Sequence, residues 1–156
     1  MGHKRMSAVE KQLHYLKLRL DEQIILISLS QIHMVLPIAE VQTVPGSDTA
    51  LQGILNFHGQ ALSIYHLSEL INTTKPHYDL NTPLLIAVLP LGLFGFLVSE
   101  IFDVIEISEE NIQCIPSNKA VSYMKGLIET EQWSGWILDL QKLLTLHQSR
   151  LEKDDE

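Results

Sequence analysis

The chain has 156 residues, 46% of them apolar, with a formal charge of −8. That length and composition suit one domain or two fused small units around a real core, and exclude a disordered chain. Lys and Arg are scattered without a basic stripe and Cys114 is the lone cysteine, so neither a nucleic-acid partner nor a disulfide scaffold is expected.

The first residues carry no apolar signal core, and Met6 stands where a myristoylation signal starting at Gly2 needs Ser or Thr. Ser7 to Glu10 fits a helix capping box, and Val9, Leu13, Leu16 and Leu20 follow at helical spacing. Leu16, Leu18 and Leu20 also alternate with Lys17 and Arg19 as a strand would, so helix and strand both remain open here. From Ile24, "IILISLS" and "HMVLPIAEVQTV" read as strands separated by a short polar break. Pro45 to Asp48 is a turn or loop. "GILNF" and "QALSIYHL" read as a hairpin turning at His58-Gly59, and "HLSELI" closes with a helical turn.

Ile71 to Pro83 is a polar, proline-containing connector. "PLLIAVLP" and "LFGFLVSEIFDVIEI" flank Leu91-Gly92 as a hairpin, apolar on both faces and therefore expected between two layers. The longest apolar run, Leu84 to Val98, is fifteen residues with a proline and two glycines. A membrane span needs about 18–20, so a soluble, cytoplasmic protein without membrane insertion is expected. "SEENIQCIPSNKAVSYM" is an irregular loop, and Leu140, Leu143, Leu144 and Leu146 mark one face of a C-terminal helix ending in an acidic tail.

The chain repeats itself. "GILNFHGQALSIYHLSELI" from Gly53 aligns without a gap on "GLIETEQWSGWILDLQKLL" from Gly126, 73 positions on. "PIAEVQTV" from Pro37 also echoes "LVSEIFDV" from Leu97, 60 positions on, which places Glu40 and Glu100 at equivalent sites and assigns the difference to the loop after Ile107. Two similar small β units packed together are the expected arrangement, because a unit of about 60–70 residues alone has a thin core.

The ordered set "LPIAEVQTV", "GILNFHGQALSIYHL", "GFLVSEIFDVIEI" and "YMKGLIETEQWSGWILDLQKLL" resembles the CheW family of chemosensory coupling proteins over about Ile24 to Leu146. The resemblance implies a mainly β fold of two packed five-stranded barrels, with short helices and a C-terminal helix. It divides the chain into an N-terminal extension at 1–23, one CheW-like domain of two barrels at 24–148 and a tail at 149–156. It further implies a non-catalytic, cofactor-free adaptor in a receptor array. Its partners would be the tip of a methyl-accepting chemoreceptor and the regulatory domain of a CheA-type histidine kinase, which has the same fold. Matched positions for partner contact are Val41, Thr43, Gly53, Asn56, His58, Gly59 and Gly126. His58 stands where the family usually has Arg and Thr43 where it often has Glu; those two are thought to pair, so their joint replacement avoids a lone charge at a buried surface. Ser63 and His66 replace the family's Pro and Asp, which points to a divergent adaptor, such as one in a pilus-motility system.

Other chemistry finds little footing. The seven histidines include no His-x-x-x-His pair, and Cys114 has aliphatic neighbours and no base nearby in sequence. No nucleophile elbow or phosphate-binding glycine loop occurs. His58 and His66, on opposite arms of one hairpin, could make a pH-sensitive contact, although ordinary histidines explain them more simply. Trp133 and Trp136 share the second hairpin as core or rim aromatics, with a partner anchor as the alternative. The rival function is a small-ligand sensor of the same fold with a pocket between the barrels.

Overall fold

A computed structural model describes residues 11–37, 50–71, 82–115 and 122–154. The described strands are β1 (Gln12–Leu20), β2 (Gln23–Ser28), β3 (Ile32–Pro37), β4 (Leu51–Phe57), β5 (Gln60–His66), β6 (Pro83–Leu89), β7 (Gly92–Leu97), β8 (Glu100–Ser108), β9 (Met124–Glu129) and β10 (Ser134–Leu138). Helix α1 is Leu67–Leu70 and α2 is Leu140–Asp154. Two five-stranded sheets result. Sheet one runs β9-β10-β2-β1-β8 and sheet two runs β3-β6-β7-β5-β4. Sheet two is built from consecutive strands, whereas sheet one joins strands from both parts of the chain.

The segment left open between helix and strand is a strand. With Tyr15, Lys17 and Arg19 on one face and Leu16, Leu18 and Leu20 on the other, β1 lies between β2 and β8. A period of two serves a chain buried by layers on both sides. The β1–β2 turn at Asp21 takes a positive φ of 56°, and its N–H donates to Ser99 Oγ at 2.9 Å. In the β6–β7 hairpin the turn residues are Pro90 and Leu91; Gly92, with φ 127°, already opens β7. The long run "LFGFLVSEIFDVIEI" is two strands rather than one. The chain breaks at Val98-Ser99, so that β7 stays in sheet two and β8 crosses to sheet one.

Strand register makes the internal repeat explicit. Leu16, Leu18 and Leu20 face Ile27, Ile25 and Gln23, just as Leu85, Ala87 and Leu89 face Phe96, Phe94 and Gly92, an offset of 69. The bulge opposite Leu16/Leu18 on β8 matches the bulge at Ile32/Met34 on β3 with the same offset. The bulges at Met124/Gly126 and Leu51/Gly53 match at an offset of 73, as the nineteen-residue alignment expects. Even the parallel pairs correspond: Ile137 on Leu26 and Ile64 on Gly95. Of the first copy in the 60-residue echo only its first residue, Pro37, is described, and register moves it to another offset. Pro37 pairs with Pro83 and Glu106 with His14, so Pro37 corresponds to Glu106, not to Leu97. Glu40, the other end of that echo's Glu40–Glu100 match, lies outside the described residues. Short amphipathic β text matches itself at several offsets, and only hydrogen-bonded register selects one.

Packing follows the repeat. One shared core takes Leu16, Leu18, Leu20, Ile25 and Ile27 from sheet one and Leu85, Ala87, Leu89 and Phe96 from sheet two, with Leu140, Leu143 and Leu144 of α2. Each sheet also curls around a smaller core of its own. Neither sheet is a closed hydrogen-bonded barrel among the described residues. In sheet one the edges β8 and β9 are linked by a single bridge beyond β8, where Gln113 and Leu127 exchange backbone bonds of 2.9 and 3.1 Å. Asp139 starts α2 by accepting the Lys142 N–H at 3.2 Å on Oδ1. Gln31, in the short crossing from β2 to β3, donates to the same oxygen at 3.3 Å.

Burial raises the phenol pKa of Tyr15, helped by the nearby Glu109 carboxylate; burial also raises Tyr123, against an opposing effect of Arg150. The folded chain thus holds these protons more tightly than the unfolded chain. The associated stability is intact below about pH 10 and is lost as pH rises through the folded values. Urea midpoints should fall from about pH 10 upward, and Tyr15→Phe should flatten that fall.

Candidate functional site

The matched positions do not form one cluster. Gly53, Asn56, His58 and Gly59 lie on the β4–β5 hairpin of sheet two, whereas Gly126 lies on β9 of sheet one. Val41 and Thr43 lie outside the described residues. Gly53 and Gly126 occupy the same bulge in the two halves, and both are buried. Gly126 has a packing reason to be glycine. An added Cβ would lie 2.6 Å from Ile112 Cγ2 and 3.2 Å from the Gln113 carbonyl oxygen, against the segment that bridges sheet one.

The β4–β5 turn is built by its own residues. His58 and Gly59 both have positive φ, 51° and 83°. Asn56 Oδ1 accepts the Gly59 N–H at 3.0 Å, which fixes the turn from the strand side. His58 then stacks edge-on against Phe57 with ring centroids 4.4 Å apart, and His33 of β3 approaches the same ring at 6.1 Å. His58 therefore presents an imidazole backed by an aromatic ring, with less reach than the arginine usual here. His66 is buried at the other end of the hairpin, its N–H bonded to Ala50 O at 2.7 Å, so the two histidines make no joint site. Gly59→Ala should cost about 1 kcal/mol or more through backbone strain. Thermal unfolding should show a melting temperature lower by about 2–4 °C.

A second feature was not singled out by sequence reading. Val35 on β3 is 42% exposed and Val104 on β8 is 49% exposed, at equivalent register positions, opposite Leu85 and Leu16. Met34 on β3 and Phe102 on β8 are exposed on the same two strands. Among the described residues, β3 and β8 each end the strand order of their sheet, so an apolar edge is presented once per half. The signal lay in "IFDVIEI", apolar on both faces yet interrupted by charge, which an edge strand with one solvent face produces.

A model of the CheW-like domain matches residues 14–148. The chain belongs to the CheW-like domain family. Chemotaxis protein CheW of Thermotoga maritima is 22% identical over 142 residues, covering 90% of this chain and 93% of that protein. The crystal structure of scaffolding protein TtCheW from Thermoanaerobacter tengcongensis aligns with a TM-score of 0.74 at 17% identity, over 82% of this chain and 89% of that one. That likeness shows the fold. The paired five-stranded sheets are the CheW-like architecture, and low identity throughout fits a divergent member. No described helix is long and apolar enough to cross a membrane. No three His, Cys, Asp or Glu side chains converge as a metal site among the described residues. Cys114 is exposed.

Proposed function

We propose that this CheW-like domain is a non-catalytic adaptor that couples chemoreceptors to a CheA-type histidine kinase in chemotaxis or pilus-motility signalling. The observation that carries the reading is the doubled edge. Open β strands with exposed apolar residues at equivalent places, Val35 and Val104, suit a protein that must hold two β-rich partners at once. Contacts of that kind can be individually weak, since an array multiplies them. The β4–β5 hairpin, with Gly53, Asn56, His58 and Gly59, would shape a contact surface on sheet two; Gly126 would hold the corresponding bulge on sheet one; Val41 and Thr43 complete the family-implied set. The protein would work in the cytoplasm at the receptor array. Its name-bearing relatives are a chemotaxis protein and a scaffolding protein, which supports this reading.

Calorimetric titration with the regulatory domain of the CheA-type kinase from the same organism tests it. Saturable binding at micromolar affinity or tighter is expected, weakened by Val104→Lys or by Val35→Lys but not by both to the same degree. Absence of any binding between two folded proteins would overturn it.

A further inference from the structure

We propose that the mouth of sheet one is a binding site for a small amine with an aromatic or branched apolar body. Between β8 and β9, beside the Gln113–Leu127 bridge, lies an open cavity of about 410 Å³. That volume is in the range of sites that hold small organic molecules. Ile105, Ile107 and Ile128 give it an apolar lining, and Trp133 supplies an aromatic wall.

The inner positions of the two sheets are filled differently. Sheet two fills its own core with Leu62, Ile86 and Leu97, all fully buried. Register places Gly135, Lys17 and Ser28 at the corresponding positions of sheet one. Leu26, standing where sheet two has Gly95, restores part of the lost volume, and Trp133, standing where it has Gln60, restores more. Sheet one thus lacks three of the apolar side chains that fill the core of sheet two.

The wall is preorganised. Thr130 Oγ1 accepts the Trp133 N–H at 3.0 Å and donates to the Trp133 carbonyl oxygen at 2.9 Å. The Lys17 ammonium lies 4.4 Å from the indole centroid, and Gly135 leaves room for the ring, whose Cζ3 is 3.2 Å from where a Cβ would stand. Lys17 itself does not line the cavity.

Two polar groups define the ligand. Ser108 lines the cavity, and its Oγ is buried without a hydrogen-bond partner. A buried hydroxyl left unpaired is costly, and a ligand donor or acceptor relieves that cost. Glu129 at the rim is held by Gln113, whose Nε2 donates to Oε1 at 3.0 Å. No lysine, arginine or histidine lines the cavity, while Glu106 joins Glu129 there. An anion is disfavoured, and an ammonium gains a charge-assisted bond to Glu129.

The test uses the full chain with Trp136→Phe, so that Trp133 is the sole indole reporter. Phenethylamine, 2-phenylethanol and phenylacetate, close in shape and different in charge, are titrated by fluorescence and calorimetry. Saturable binding of phenethylamine, about tenfold tighter than the alcohol and with no binding of the acid, is expected. Glu129→Gln should reduce the advantage of the amine to near unity while leaving thermal unfolding cooperative. Equal binding of amine and alcohol, stronger binding of the acid, or no saturation by any of the three in a folded chain would each overturn the proposal. None of these outcomes bears on kinase binding, so the adaptor reading stands or falls separately.

Discussion

A chain beginning at Ile24 is expected not to fold. The truncation removes β1, which hydrogen-bonds to β2 on one side and β8 on the other. It also removes Leu16, Leu18 and Leu20 from the shared core, where they are almost fully buried. Burying such side chains contributes about 1.5–3 kcal/mol each, so the three together stabilise by roughly 5–9 kcal/mol. Domains of this size have a total stability of about 5–15 kcal/mol, before counting two ladders of lost backbone bonds. β8 would then have no described partner strand, and β2 would become an edge. The truncated chain should show no cooperative urea transition and should bind a hydrophobic dye. A cooperative transition with the full-length m-value would show that β1 is dispensable and that the strand order assigned to sheet one is wrong.

That prediction also marks where the sequence was legible and where it was not. The hairpin around His58-Gly59 could be read because its turn chemistry is local: two residues with positive φ, one of them glycine, between alternating strands. The β9–β10 unit followed by homology with it, and α2 by its leucine spacing. β1 was ambiguous because leucine and lysine at these positions satisfy both periods, and only the neighbours β2 and β8 decide between them. The domain boundary expected at residue 23 falls after β1, a strand of sheet one, because the resemblance to the family begins at Ile24.

The sequence shows the repeat at offsets of 60 and 73, and register gives 69 and 73. The correct earlier offset, 69, pairs "LKLRLDEQIILIS" with "LIAVLPLGLFGFL", which share a register rather than letters. Hydrophobic identity is interchangeable in a core, so Leu18 and Ala87, or Ile27 and Phe96, leave no visible echo. Val41 and Thr43 lie beyond the described residues, so the family-implied site is only partly placed. The edge residues Val35 and Val104 carry no mark in the sequence, since exposure of an apolar residue depends on which strand ends the sheet.

Phe96→Ala should destabilise the chain by about 3–5 kcal/mol and should do so in both halves at once. Phe96 has no exposed surface and sits in the shared core rather than in the private core of sheet two. Its ring stacks against Tyr65 at 6.2 Å with planes 27° apart, and its backbone pairs with Leu85 and Tyr65. Truncation leaves a cavity that Leu16, Ile27 and the α2 leucines cannot fill without leaving their own contacts, since interiors are packed at near-crystal density. The chain has two tryptophans, Trp133 and Trp136, both in the hairpin of sheet one. Tryptophan fluorescence therefore reports the half that does not carry the substitution, while far-ultraviolet circular dichroism reports both. Coincident urea transitions, shifted together, are expected because the strands of sheet one flank those of sheet two in the sequence and the inner faces of both sheets form one core. Leu62→Ala, in the private core of sheet two, provides the comparison. If Phe96→Ala lowered the dichroism midpoint while fluorescence kept its original one, the halves would be separable units, and the shared core would be a contact between them rather than the source of their joint stability.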